Sequence, residues 1–317
     1  MKNNLEILEL SPDAARQYID ARAAFIALEA ARKQAQQVRG GMVWKTVQGK
    51  DYLIRTSPRG TQHSLGPRSA DTEAMHAKFS AQKESATTRF ASLKDTVARH
   101  QRMNRALRVG RMPPIAVDIL KRLADAQLDT FFRVVGTHAL YAYEMAAGVS
   151  LSTEITSTQD IDLLWDTRKR VTFAQRLAQD APSMLAALQK VDKTFQLRED
   201  QRYTAINADG FQVDILRRVA EGDDPHPVSL SDAEDDFWVV QAHRASDLLN
   251  AREFSEVVVA SNGSMARLTT IHPADFVQFK RWMATQTNRE ALKRRRDALQ
   301  ADAVEWLLNE RLPQLLA

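Results

Sequence analysis

The sequence predicts an α+β fold: a mixed sheet flanked by helices, preceded by a long-helix and small β-meander module and followed by a mostly helical region. Three observations predict it. Two long stretches of good helix formers bracket a short β-rich segment before residue 110. Between residues 115 and 216, apolar runs of strand length alternate with helix-length segments, the pattern of a sheet covered by helices. After Pro273 the helical pattern dominates again.

The chain has 317 residues, enough for one large domain or two to three small ones. Its hydrophobic fraction of 44% is that of an ordinary folded protein. No apolar stretch approaches the roughly 18 residues of a membrane span, and residues 1–6 show no charged-then-apolar leader pattern. The absence of cysteine excludes disulfides and thiolate metal sites and suits a reducing compartment. These features lead us to expect a cytoplasmic protein without a membrane partner. A net charge of +4 permits a nucleic-acid partner without requiring one.

Taken in order, Ser11-Pro12-Asp13 is a helix start: a hydroxyl cap, a proline whose fixed φ suits the first helical position, and an acid at the positive end of the helix dipole. That helix covers 12–39 and stops at Gly40-Gly41. Strands follow at 42–47 and 52–55 around the turn-like Gln48-Gly49-Lys50-Asp51. A third includes His63-Ser64-Leu65, after the turn chemistry of Pro58-Arg59-Gly60. Asp71-Thr72-Glu73 opens a second long helix reaching about Leu107. Gly110-Arg111-Met112-Pro113-Pro114 is the clearest boundary.

Beyond it the pattern gives helix 115–127, strand 131–135, helix 137–147, strand 160–166 and helix 168–180. Residues 203–207 and 211–216 make a hairpin around Ala208-Asp209-Gly210. Residues 219–236 are acidic and loop-like. A second hairpin joins 257–260 to 265–268, and helices start at Pro273 and at Arg289, the latter reaching about residue 311. Three regions result: 1–110, 111–235 and 236–317. No repeat of 20–50 residues interrupts them.

The chemistry concentrates in three acids on predicted strands. Strand side chains alternate, so Asp160 and Asp162 of Asp160-Ile161-Asp162 share one face. Asp162 lies between Ile161 and Leu163, and Asp214 between Val213 and Ile215. A carboxylate so placed needs a partner, because burying an unpaired charge is very unfavourable. A cation would supply it. A strand-end position facing water, or an arginine such as Arg217, would also satisfy a single acid. Gly136-Thr137 closes the apolar run 131–135 and, by itself, reads as a strand-to-helix turn. His138 reads as a packing or capping residue. Neither a zinc pattern nor a Rossmann, Walker or nucleophile-elbow motif is present.

In chain order, Val134-Val135-Gly136-Thr137-His138-Ala139-Leu140, Asp160-Ile161-Asp162-Leu163 and Val213-Asp214-Ile215 resemble the signature of the nucleotidyltransferase-fold superfamily, the relatives of DNA polymerase beta. That signature is an apolar strand, a Gly-Ser or Gly-Thr opening a helix, an acid-x-acid strand, and a third acid on a later strand. More narrowly, the chain resembles a bacterial group of nucleotidyltransferase-fold proteins of unassigned substrate. This likeness includes Ser64-Leu65-Gly66-Pro67-Arg68-Ser69, the helix Pro273…Phe279-Lys280-Arg281-Trp282, and Arg289…Lys293…Asp297. The 23 positions from Thr137 to Asp160 exceed the common spacing and hold a helix and the polar stretch 150–157.

The resemblance implies a catalytic core over 111–235, with 236–317 completing the nucleotide site. Asp160, Asp162 and Asp214 would hold Mg²⁺ (or Mn²⁺), and Asp214 could serve as general base. Gly136 and Thr137 would cradle the triphosphate, with Lys280 and Arg289 reaching its oxygens. The implied activity moves a nucleoside monophosphate from an NTP, ATP among them, to an acceptor hydroxyl, with release of pyrophosphate. The acceptor would be an RNA 3′ end, a protein side chain or a small molecule, and tRNA-modifying toxins are among the superfamily's members.

Other readings stay open on the residues alone. Lys280 also fits a snorkelling lysine at a helix edge. Arg289, Lys293 and Asp297 recur at i, i+4 and i+8, where ordinary surface pairing accounts for Lys293–Asp297. Lys293-Arg294-Arg295-Arg296 reads as a solvated face. Trp44, Lys45, Lys50, Tyr52, Arg55, Arg59 and Arg68 suit either an ordinary half-buried sheet or a nucleic-acid surface. The alternative function is a catalytically silent scaffold that binds nucleic acid or a partner through its N-terminal module. A metal-dependent nuclease is disfavoured, because Ile215-Leu216 follow Asp214 where such an enzyme would place a lysine.

Overall fold

A computed structural model describes residues 7–226 and 228–316. The reading of residues 1–6 therefore lies outside the described residues. The chain divides into two units, Arg16–Met103 and a larger one made of Met1–Ala15 with Asn104–Ala317.

A two-residue strand, β1 (Leu8–Glu9), leads into α1 (Pro12–Gln37). In the smaller unit, α1 buries Tyr18, Ala21, Phe25, Leu28 and Ala31, a stripe at three- and four-residue spacing. The expected meander is present as β2 (Gly41–Val47), β3 (Lys50–Thr56) and β4 (Gln62–Pro67), all antiparallel in that order. Its first turn is tighter than the sequence reading: only Gln48 and Gly49 lie outside the strands, both with positive φ (49° and 76°). That is the two-residue geometry whose twist matches paired strands. The second long helix, α2 (Ala70–Ala106), is capped by Ser69, whose hydroxyl accepts from the Thr72 N–H at 3.3 Å. The Gln17 side chain meets His100 Nδ1 at 3.1 Å, joining α1 to α2.

The larger unit continues with α3 (Pro114–Asp125), β5 (Phe132–Val135), α4 (Ala139–Ala147), β6 (Val149–Ser150), α5 (Thr153–Thr156), β7 (Asp160–Trp165) and α6 (Arg170–Asp180). Then come α7 (Met184–Gln189), β8 (Gln196–Leu197), β9 (Thr204–Ile206), β10 (Gln212–Arg217), β11 (Val240–Gln241) and α8 (Ala245–Asn250). The chain ends with the hairpin β12 (Glu253–Val259) and β13 (Met265–Ile271), followed by α9 (Pro273–Thr285) and α10 (Ala291–Glu310). The α+β class and the mixed sheet hold. The main sheet runs β5-β7-β10-β9-β8, with β11 beside the end of β10. β5 is antiparallel to β7, β7 parallel to β10, and β10 antiparallel to β9.

Some boundaries move for local reasons. Phe131 belongs to a 3-10 turn, so β5 starts at Phe132, and a second 3-10 turn over Gly136–His138 delays α4 to Ala139. The last helix starts at Ala291, not Arg289, because Glu290 is extended (φ −52°, ψ 139°). The segment between Thr137 and Asp160 holds α4, β6 and the four-residue α5.

One hydrophobic core gathers Val135, Leu140 and Tyr143 with Leu248 and Phe276 and with Val304 and Leu307 of α10. The C-terminal helices are thus part of the same packing that fixes the end of β5. On the other side, Phe173 is fully buried against Phe131, Phe132 and Trp165, with ring centroids 5.4–5.6 Å apart. Phe173→Ala is expected to destabilise the larger unit by about 3–5 kcal/mol, the range for removing a buried aromatic ring, measured by urea unfolding followed through tryptophan fluorescence.

Candidate active site

Register brings the acids together. In the parallel β7–β10 pair, Asp162 is the direct partner of Asp214 and Asp160 the partner of Gln212. On the other side of β7, Asp162 faces Val135, the residue before Gly136. Alternation buries Ile161, Leu163, Val213 and Ile215 on one face and leaves Asp160, Asp162 and Asp214 half-buried on the other. One carboxylate oxygen from each acid lies within 4.8 Å of the other two, and these oxygens could hold a metal ion. Two hydroxyls steady the outer pair. Thr158 Oγ1 donates to Asp160 Oδ1, and Thr204 Oγ1 of β9 donates to Asp214 Oδ1 at 2.6 Å. Arg217 does not pair with Asp214: it is buried on the opposite side of β10 and meets His226 Nδ1 at 3.1 Å.

Three like charges so close oppose ionisation. Asp162 is pushed up to about 7 by burial first, then by Asp160 and Asp214, with Lys280 and Arg289 pulling the other way. Asp214 is also raised, by burial and by Asp160, against the pull of its Thr204 hydrogen bond and Arg198.

Gly136 adopts φ +71°, and a Cβ built there would overlap the Asp162 carboxylate. Glycine is therefore required twice at this position, by its left-handed backbone and by the close approach of the acid. Thr137 follows in the 3-10 turn, and its hydroxyl accepts from Gln300 Nε2 at 3.2 Å. The same amide nitrogen donates to the Ile155 carbonyl at 2.7 Å, so α10 holds the turn against α5. His138 packs between Tyr141 and Phe211 with no capping bond from its side chain. Burial pushes it down to about 4, against the pull of Asp160.

A cavity of about 770 Å³ opens beside this cluster. Gly136, Thr137, Asp160 and Asp162 line one side; Lys280, Arg289, Lys293 and Arg296 line another. Apolar groups, among them Phe279, Trp282 and Leu248, line the rest. Asp214 stands next to Asp162 in the sheet and is not part of the cavity wall.

Lys280 is not a snorkelling residue. It is 5% exposed, and its Nζ donates to Asp297 Oδ1 at 2.8 Å. Burial lowers its pKa while Asp297 raises it. Arg289 Nε donates to the other oxygen of Asp297 at 2.5 Å. The expected surface pair Lys293–Asp297 is accordingly wrong. Asp297 is 1% exposed and serves both Lys280 and Arg289, whereas Lys293 lies 3.6 Å from Glu290. The reading failed because Arg289 precedes α10 and Asp297 faces α9. The basic run is likewise only partly a solvated face, since Lys293 and Arg296 turn to the cavity and Arg296 donates to the Ser157 carbonyl at 3.1 Å.

Sequence reasoning missed Asp297, Gln300, Thr158 and Thr204 as supports of the site. Asp297 and Gln300 carried a usable signal: both fall on the buried stripe of α10 with Ala301, Val304 and Leu308, where a polar residue needs a partner.

The geometry sets three carboxylates that could hold a metal ion beside a glycine turn and a cavity with cations on its wall. A nucleotidyltransferase family model matches residues 115–317, more than half of the chain, and the chain belongs to that family. No curated protein and no solved structure matches it. Among the described residues no helix is long and apolar enough to cross a membrane.

Two outcomes follow from these contacts. A carboxyl whose pKa is raised by folding binds its proton more tightly in the folded state, so its contribution is lost as pH rises from the ordinary carboxylate range through about 7. The metal-free protein should lose stability between pH 4 and pH 8, and Asp162→Asn should flatten that decline, as read from melting temperatures across the range. Asp297→Ala should destabilise by about 3–5 kcal/mol, the effect of stranding buried partners of a lost charge, measured by denaturant unfolding at neutral pH.

Proposed function

We propose that the protein transfers a nucleoside monophosphate from an NTP to an acceptor hydroxyl, releasing pyrophosphate. The observation that carries this reading is the convergence of three carboxylates beside a glycine turn, two of them lining a cavity whose wall also holds the buried Lys280 and the partly buried Arg289. Family membership supports a transferase with a nucleotide substrate.

The donor set is all oxygen and strongly anionic, which suits a hard divalent cation. Asp160, Asp162 and Asp214 would hold Mg²⁺ (or Mn²⁺), which neutralises phosphate charge and favours the alkoxide form of an acceptor hydroxyl. The chain's own residues do the rest. The Gly136-Thr137 turn offers backbone N–H groups at the start of α4, with no Cβ to block a phosphate. Lys280 and Arg289 present positive charge to the triphosphate from the facing wall, and Asp297 keeps both in place when no nucleotide is bound. Gln300 orients the Thr137 hydroxyl. Asp214, held by Thr204 next to Asp162, is the acid best placed to accept the acceptor hydroxyl's proton. The apolar wall of Phe279 and Trp282, ring centroids 6.0 Å apart, supplies a surface for the base.

The test is label transfer from α-³²P-NTPs, all four in turn, with Mg²⁺ or Mn²⁺, into total cellular RNA, protein and small-molecule pools. Transfer is expected with at least one nucleotide, and Asp160→Ala should lower it by about 10³-fold or more, the scale of losing the principal electrostatic contribution to a phosphoryl transfer. Absence of transfer into every pool, with nucleotide binding intact, would replace this reading with that of a silent binding scaffold.

A further inference from the structure

The net charge of the chain conceals a strong asymmetry. The unit Arg16–Met103 holds sixteen Lys and Arg against seven Asp and Glu, a net +9. With +4 for the whole chain, the remaining residues carry −5. This unit also lies outside the span matched by the nucleotidyltransferase family model. We propose that it binds single-stranded nucleic acid on one face of its three-stranded sheet, so that the acceptor of the transfer is itself a nucleic acid. The second half of this inference rests on the transfer activity proposed above.

The two faces of the sheet differ in what occupies them. Trp44 lies 5.8 Å from the His76 ring of α2 with the Arg68 guanidinium 5.1 Å over it. Arg55 sits 4.4 Å over the Phe79 ring and donates to the carbonyls of Gly41 and Arg39. Leu53 is fully buried on the same side. Three of the aromatics and cations that attracted notice in the sequence are therefore engaged inside the unit.

The opposite face is different. Alternation puts Val43, Lys45 and Val47 there together, and the antiparallel register sets Tyr52 opposite Lys45 and Lys50 opposite Val47. Asp51, the only acid on these strands, points to the occupied side, where it accepts from Thr46 and pairs with Arg68. Lys45, Lys50 and the turn residue Arg59 are exposed and make no ion pair with any described residue. Val43 and Val47 are 52% and 45% exposed. The face thus offers one aromatic ring between two ammonium groups, apolar surface beside it and no carboxylate.

A polyanion with stackable rings matches this chemistry. The lysines neutralise phosphates, Tyr52 takes a base on its face, and the valines cover ribose and base edges. Duplexes fit less well, since their bases are already stacked and leave no free ring face for Tyr52.

The experiment is fluorescence anisotropy of a fluorescein-labelled 20-nucleotide oligouridylate with the full chain, in EDTA, over 50–300 mM salt. Binding is expected to weaken steeply with salt. Lys45→Glu/Lys50→Glu should weaken it by at least about tenfold at 50 mM salt and lower the slope of log K against log salt by about 1.4, two phosphate contacts at about 0.7 each. Tyr52→Ala should lose about tenfold, with Tyr52→Phe close to wild type. All four sites are at least partly exposed, and circular dichroism melting checks that each variant folds. The proposal is overturned if wild type does not bind, if the double variant binds with wild-type strength, or if anionic phospholipid vesicles bind through these lysines while the oligonucleotide does not. Label transfer without oligouridylate binding sinks this inference alone; binding without transfer sinks the catalytic reading and the acceptor half that rests on it, and leaves the binding face standing.

Discussion

The parallel pairing of β7 with β10 is the constraint on which the rest of the site depends. It sets Asp162 directly beside Asp214, and the pleat then sends both carboxylates and Asp160 to one side of the sheet. A slip of one residue would turn the acids into the core and their apolar neighbours out. Ile161, Leu163, Val213 and Ile215, each fully buried, make that slip prohibitive. The hydrophobic effect therefore enforces an arrangement that electrostatics alone would reject. The pKa of Asp162 is raised first by burial and then by the neighbouring Asp160 and Asp214.

The opposite wall is built on attraction. Asp297 holds Lys280 and Arg289 through charge-assisted hydrogen bonds, and its burial between α9 and α10 keeps water from competing. Such an arrangement contributes less to stability than its bond count implies, since Lys280 and Asp297 were desolvated to make it. Its effect is placement: Asp297 fixes both cations on the cavity wall. The same core that packs α10 against α4 also carries Gln300 to the Thr137 hydroxyl. The acidic and cationic walls are thereby tied to one another through α4 and α10.

Much of this was legible in the sequence, for identifiable reasons. The three acids stood out because Asp162 and Asp214 interrupt β-branched and apolar runs, where a charge demands an explanation. The meander, the 203–216 hairpin and both long helices announced themselves through turn chemistry, capping and unbroken helix formers. The short elements β1, β6, α5, α7, β8, β11 and α8 did not, because two to six residues carry no period. Asp297 was misread because a helical stripe was extended back across an extended residue, Glu290, that no pattern flagged. The divided charge of the chain was hidden by an average: +4 describes neither unit.

The acids and their supports come from distant parts of the chain. Asp162 and Asp214 are 52 positions apart, and Lys280 and Asp297 follow much later still. Loop closure of that length opposes each pairing until the surrounding core forms. A growing polypeptide that has emerged only through β7 carries two of the three acids and none of the facing cations. The acid cluster and the cations that face it therefore stand together only once the chain through α10 has folded.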